Sequence, residues 1–319
     1  MNMKHWIPGT LGVTGLLLIY VFASGGNFLA NFLSYIALFV IASHGWNLLG
    51  GYIGEISFGH AVFFGIGAYT VGLPLGYGLD LPLGLLVVLG AFTASLFALM
   101  ISFPLLRVQG FPFLVGTYGL GVVMQSIFIV TPALFATRGI FIPAVNKYVL
   151  YTVSLTTAAL VTFLVRWLVE QNLGLRFRAV RDVPIAAQMV GINIYRTKAA
   201  ALVIGAGITG LAGGLFALYG SFVNPVASFG FATSISILLG PYIGGIGTVP
   251  GAVLGTIIVI MFQEFSRSVI TVNGGHYLLL GLLLVLVMMT SKEGIYPGLK
   301  KLLTRHLAGR LPGARQKAR

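Results

Sequence analysis

The sequence predicts an all-α polytopic membrane protein of about ten transmembrane helices, and three observations carry that prediction. Of 319 residues, 57% are hydrophobic and only 8% are charged, against roughly 25% charged in ordinary soluble domains. Mean hydropathy is +0.99. The apolar sequence is also divided, by Gly, Pro and charge, into runs near the 20 or so residues that cross a hydrocarbon core of about 30 Å.

The runs can be taken in order. Met1 to His5 is short and basic, and Ile7 to Ala23 has the form of a signal peptide; it reads as an uncleaved first span, with cleavage after Ala23 as the alternative. The second span, Leu29 to Leu49, is broken by Gly50-Gly51-Tyr52-Ile53-Gly54-Glu55, and Ser57 is expected to cap the third. That third span ends in the turn-rich stretch Gly76 to Pro82. Leu83 to Leu106 forms the fourth span, Pro112 to Pro132 the fifth, and Tyr148 to Val169 the sixth. Ala199 to Tyr219, a short Phe229 to Ile243, Val249 to Phe265 and Gly275 to Thr290 complete the set. An eight- or nine-span count, with part of 50–60 or 222–245 re-entrant, is the alternative.

One long polar stretch interrupts this pattern, and it orients the chain. Between Arg176 and Lys198 lie five of the nineteen basic residues, and the tail from Lys292 to Arg319 holds eight more. Charge at such density faces water, because each charge at the bilayer centre costs about 2.5–3.5 kcal/mol on insertion scales. Loops rich in Lys and Arg stay in the cytoplasm. An even span count then puts both termini, Arg107, the 171–198 loop and the 292–319 tail on that side of a single domain, 1–319. Within the loop, Pro184 to Val190 ends at Gly191, the pattern of a short helix. From charge alone, the loop could do no more than set topology.

The net charge of +13 is distributed as orientation charge flanking apolar spans, not as a phosphate groove, so no nucleic-acid partner is expected. The absence of cysteine excludes disulfides, thiolate metal sites and Cys nucleophiles, while leaving the redox compartment open. No G-x-x-x-x-G-K-[ST] motif exists, and no acid–base or metal-ligand constellation can be argued, so neither cofactor nor metal is expected.

Two internal patterns stand out. Ser57-Phe-Gly-His-Ala61 and Ser228-Phe-Gly-Phe-Ala232 share S-F-G-x-A, each following a break and opening a span. Five residues can match by chance; a true repeat marks two inverted five-helix halves with broken helices near the midplane. Small residues recur every four positions at Ala206, Gly210, Gly214 and at Gly247, Gly251, Gly255. Such stripes let helices touch backbone to backbone, inside one chain or between subunits. The polar residues expected at membrane depth are His44, Glu55, His60, Gln125 and Glu264. From these and the repeat come the pathway candidates Glu55, Ser57, Gly59, His60, Ser228, Gly230 and Glu264.

The stretch Arg178-Ala-Val-Arg-Asp-Val-Pro-Ile-Ala-Ala-Gln-Met-Val-Gly-Ile-Asn193, with Arg196 and Lys198, is similar to the cytoplasmic coupling segment of bacterial ABC importer permeases. The branched-chain amino-acid permease family is the nearest likeness. It extends through Ala199 to Leu215, Asn224-Pro225, Ser234-Ile235 and Gly244 to Gly255, and upstream through Gly54-Glu-Ile-Ser-Phe-Gly-His-Ala-Val-Phe-Phe-Gly-Ile-Gly-Ala-Tyr69. The family often carries acidic residues where Val183, Pro184 and Gln188 stand here.

The resemblance implies a permease subunit of an ATP-driven importer for branched-chain or related amino acids in the bacterial inner membrane. Its implied partners are a homologous permease subunit, two cytoplasmic ATPase subunits and a periplasmic substrate-binding protein. It implies that ATPase coupling runs through Arg178, Arg181, Asp182, Ala186, Ala187 and Gly191, with Ala187 and Gly191 buried in the contact. A permease for urea or short amides is the alternative within the class. Outside it, a stand-alone secondary transporter would need intramembrane ionisable groups to couple ions, and those are scarce.

Overall fold

The computed structural model describes residues 27–135 and 138–269, with 281–282, 285 and 294–298. Helix α1, Asn27–Asn47, runs without interruption into a π-helix, Leu48–Ile53. The glycine-rich stretch therefore widens the helix before ending it. The left-handed Gly54, at φ 87°, closes the turn and donates its N–H to the Leu49 carbonyl. Gly50 and Gly51 leave room for Trp46 and Asn47, whose side chains a Cβ at either position would overlap.

Helix α2, His60–Gly76, starts three residues later than Ser57. Gly59 occupies the N-cap, and Ser57 Oγ instead accepts a hydrogen bond from the Gly59 N–H at 3.2 Å. Helices α3, Leu83–Leu105, and α4, Phe111–Val130, follow, and a 3₁₀ turn, Pro132–Leu134, precedes the strand β1, Ile140–Phe141. Asn146 caps α5, Lys147–Glu170, by accepting from the Tyr148 N–H at 2.9 Å.

The polar interruption is more ordered than a loop with one short helix. It contains α6, Asn172–Asp182, and α7, Pro184–Met189, before Asn193 caps α8, Ile194–Gly220. Strand β2, Phe222–Val223, pairs antiparallel with β1, Ile140 facing Val223. This two-stranded clip is the one departure from an all-α chain among the described residues. The short α9, Pro225–Phe229, α10, Phe231–Gly244, and α11, Val249–Val269, complete the described fold.

Seven helical segments among the described residues are long and apolar enough to cross a membrane, and α2 is a shorter apolar eighth. They correspond to the second through ninth expected spans. The expected first span, 7–23, and nearly all of the tenth, 275–290, lie outside the described residues.

Helix α8 is the central pillar, packed against α1, α2 and α3. It achieves this by backbone contact. A Cβ at Gly67 would overlap the Gly210 carbonyl, and one at Gly213 the Phe64 carbonyl. The stripe Ala206, Gly210, Gly214 thus packs inside the chain, with Gly214 facing Val71 and Val87. In the second stripe, Gly255 and Gly251 pack against Gly240 and Gly244 to close the α10–α11 hairpin. Both stripes are internal seams, where close van der Waals approach replaces the apolar driving force missing in lipid.

Candidate functional site

The two S-F-G-x-A motifs share the position of a helix start but not their backbone: Ser57 and Phe58 are outside any helix, while Ser228 and Phe229 end α9. In each, the motif glycine is the N-cap and the next residue, His60 or Phe231, opens a helix. The two helices then leave in opposite directions. The far end of α2 reaches the strand clip, where Gly72 and Gly76 lie against Val223 and Ile140. The far end of α10 leads into the 245–248 turn, where Gly247 lies against Arg181 and Gly51. Their N-termini meet: the Ala61 N–H donates to Ser234 Oγ at 3.1 Å, and the Phe58 ring packs edge-on against Phe231 at 5.7 Å. Tyr118, from α4, stacks its edge on the same Phe231 ring at 5.1 Å.

Around this junction the backbone of the first break is pinned. Trp46 Nε1 donates to the Ser57 carbonyl at 2.8 Å, and the Phe58 N–H donates to Thr117 Oγ1 at 3.1 Å. The ring nitrogens of His60 and the hydroxyl of Ser228 are fully buried with no hydrogen-bond partner among the described residues. Such groups are costly to bury unpaired, by about 1–3 kcal/mol each. His44, buried on α1, shares a hydrogen bond with Thr162 Oγ1 at 3.0 Å, a structural tie between α1 and α5. Gln125 and Glu264 are partly buried, on α4 and α11.

Glu55 does not stand alone. Its Oε1 lies 2.5 Å from Lys198 Nζ, with side chains only 12% and 7% exposed. Lys198 also floors an open cleft of about 500 Å³ bounded by Leu106, Gln109 and the 188–195 segment.

The polar segment itself divides into an inner and an outer face. Gly174, Phe177 and Val180 turn α6 against the bundle at helical spacing. Arg178 donates to the carbonyls of Val169, at 2.9 Å, and Gly174, at 3.2 Å, covering the last turn of α5 where a helix favours positive charge. Arg181 Nη1 donates to the Gly51 carbonyl, in the π-helix, at 2.8 Å. The two arginines expected to orient a partner are therefore bonded within the chain. Ala187 is likewise turned inward, at 3% exposure. Gly191 is exposed, and its φ of 84° is the reason for glycine there, since a Cβ would meet nothing within 4 Å. The outer face carries Asp182, Ala186 and three bare apolar side chains, Ile185, Met189 and Val190, exposed by 74%, 84% and 76%.

Sequence reasoning missed two participants. Lys198 had been counted as orientation charge, and Asn47 had drawn no notice. Asn47 Nδ2 donates to the Thr248 carbonyl at 3.1 Å while its Oδ1 accepts from the Gly247 N–H at 2.9 Å, stitching the first break to the α10–α11 turn. The scarcity of acids was the available signal: with six in the chain, an acid between two apolar spans calls for a cation partner.

Comparison with known proteins bears on the same residues. The family described as branched-chain amino acid transport system / permease component matches residues 28–288. The permease protein LivM of a high-affinity branched-chain amino acid transport system in Salmonella typhimurium is 29% identical over 298 residues, covering 82% of this chain and 68% of the relative. LivH of Escherichia coli is 25% identical, covering 81% of this chain and 90% of its own, and BraD of Pseudomonas aeruginosa is 26% identical, covering 84% and 94%. No solved structure matches.

Proposed function

Because the chain belongs to the branched-chain amino acid transport permease family, we propose that it is one of two membrane subunits of an ATP-driven importer for branched-chain or related amino acids. It forms the translocation pathway with a homologous permease. Two cytoplasmic ATPase subunits drive it, and a periplasmic binding protein delivers the solute. The chain lies in the bacterial inner membrane, with the α6–α7 end and both termini in the cytoplasm and the β1–β2 clip facing the periplasm. The names of its relatives, LivM, LivH and BraD, supply the solute class.

One observation carries the division of labour. An otherwise basic, water-facing segment presents three contiguous apolar side chains, Ile185, Met189 and Val190, and an exposed apolar group rimmed by charge is the mark of a docking surface. In this reading α7 seats in a groove of one ATPase subunit through that face, with Asp182 and Ala186 at its edge. Arg178, Arg181 and Ala187 hold the helix against the bundle, and Gly191 provides the turn into α8. The junction of the two breaks is the pathway, with Ser57, Gly59, His60, Ser228 and Gly230 lining it and Glu264 toward its outer mouth. Two helix N-termini that meet there offer partial positive charge to a solute carboxylate.

The test is Met189→Asp. Anchors seated in desolvated pockets commonly contribute about 2 kcal/mol or more, so ATPase association, measured by co-purification across salt and protein concentrations, should weaken about thirtyfold while insertion of the chain is unchanged. Undiminished association would leave the segment as a topology determinant alone. Leucine uptake by the purified chain without ATPase subunits would instead favour a secondary transporter.

A further inference from the structure

The first break is connected to the polar segment by charge, and the second is not. Arg181, on α6, donates to the Gly51 carbonyl inside the π-helix. Lys198, the fifth residue of α8, pairs with Glu55, two residues beyond that π-helix. Both cations belong to the segment that flanks α7, and both acceptors belong to residues 51–55. Asn47, at the end of α1, bonds Gly247 and Thr248 in the α10–α11 turn, and Gly51 lies directly against that Gly247. Ser57 and Phe58 follow directly, and Phe58 packs on Phe231 at the helix-N-terminus junction.

The geometry points to a strut: Glu55–Lys198, reinforced by Arg181 on Gly51, transmits displacement of the α6–α7 segment to the broken stretch 48–59 and so to the pathway junction. This rests on the reading that α7 seats on an ATPase subunit. The physical reason is the stiffness of the contact. A shielded ion pair cannot be stretched or exchanged for water as an exposed one can, because each charge left alone in the low-dielectric interior is strongly destabilised. Apolar contacts slide; this pair and the Arg181 bond hold direction and register. The π-helix is the part able to respond, since such wide turns recur at functional sites. Glu55 and Lys198 touch neither solute nor nucleotide in this scheme; they are positioning residues.

The experiment uses the assembled complex in proteoliposomes, measuring leucine taken up and phosphate released together. Glu55→Gln keeps the shape and removes the charge. Leucine transported per ATP hydrolysed should fall at least fivefold, with co-purifying ATPase unchanged, and the exchanged pair Glu55→Lys with Lys198→Glu should recover at least half of the lost ratio. A wild-type ratio in Glu55→Gln overturns the strut. So does failure of Glu55→Gln to assemble, which would make the pair a requirement of the fold only, and so does an exchanged pair no better than the single variant. A wild-type complex that hydrolyses ATP without taking up leucine would defeat the functional reading itself, an outcome distinct from any of these.

Discussion

The two breaks share a motif, a capping glycine and the start of a helix one residue later, yet they are held in different ways. The first, 48–59, is a π-helix, 48–53, followed by an irregular stretch, and Arg181, the Glu55–Lys198 pair, Trp46 and Thr117 tie it to α6, α8, α1 and α4. The second, 221–230, has no charged residue; Asn224 caps α9 by accepting from the Ala227 N–H at 2.7 Å, and β2 is clipped to β1. The motif is repeated, but neither the backbone around it nor the chemistry is. In the proposed importer, energy supplied from one side of the membrane would have to reach only one of the two breaks directly, and the charged connections are found at that one.

That contrast can be broken at three points. The largest expected effect is all-or-none. The chain lacks cysteine, so single cysteines at Met189 and Phe141, both strongly exposed, report the two ends separately. A membrane-impermeant thiol reagent should reach the first only from the cytoplasmic face and the second only from the periplasmic face. Labelling of both from one face would refute the inverted arrangement.

Next in size is Arg181→Ala. It removes a charged donor from the Gly51 carbonyl, an interaction of about 1.5–3 kcal/mol, and ATP-driven leucine uptake should drop about tenfold or more. Uptake within twofold of wild type would show that the first break needs no such tie. The smallest effect belongs to the second break, where Asn224→Ala loses an N-cap of about 1 kcal/mol. Thermal unfolding in detergent should register that loss while uptake stays within about threefold. A larger transport defect than Arg181→Ala would reverse the comparison.

Much of this architecture was legible in the chain. Apolar run length identified eight spans now described as helices, because burying backbone in hydrocarbon leaves little choice but a helix. Pro184 and Gly191 marked the ends of α7, since one lacks a donor and the other adopts a positive φ. The S-F-G-x-A repeat marked the neighbourhood of both helix starts, whose caps are Gly59 and Gly230. The start of α2 was misplaced at Ser57 because a serine before an apolar run looks like a cap, whereas its hydroxyl bonds Gly59 instead. The glycine-rich stretch after Leu49 ended its helix at Gly54, but only after widening it, and Trp46 and Asn47 occupy the space Gly50 and Gly51 leave.

By itself, then, the sequence determined what must sit in lipid, what must face water, and which family the chain resembles, because those follow from composition and from short-range pattern. Only the tertiary structure decided what each polar residue does. Glu55 and Lys198 are 143 positions apart, and Arg181 and Gly51 are 130; no local pattern encodes such a pairing. Arg178 and Arg181, though exposed, bond backbone carbonyls of the chain and Ala187 is buried, while Ile185, Met189 and Val190 face out, since the rotation of α6 and α7 is set by where Phe177 and Val180 find a partner surface on the bundle.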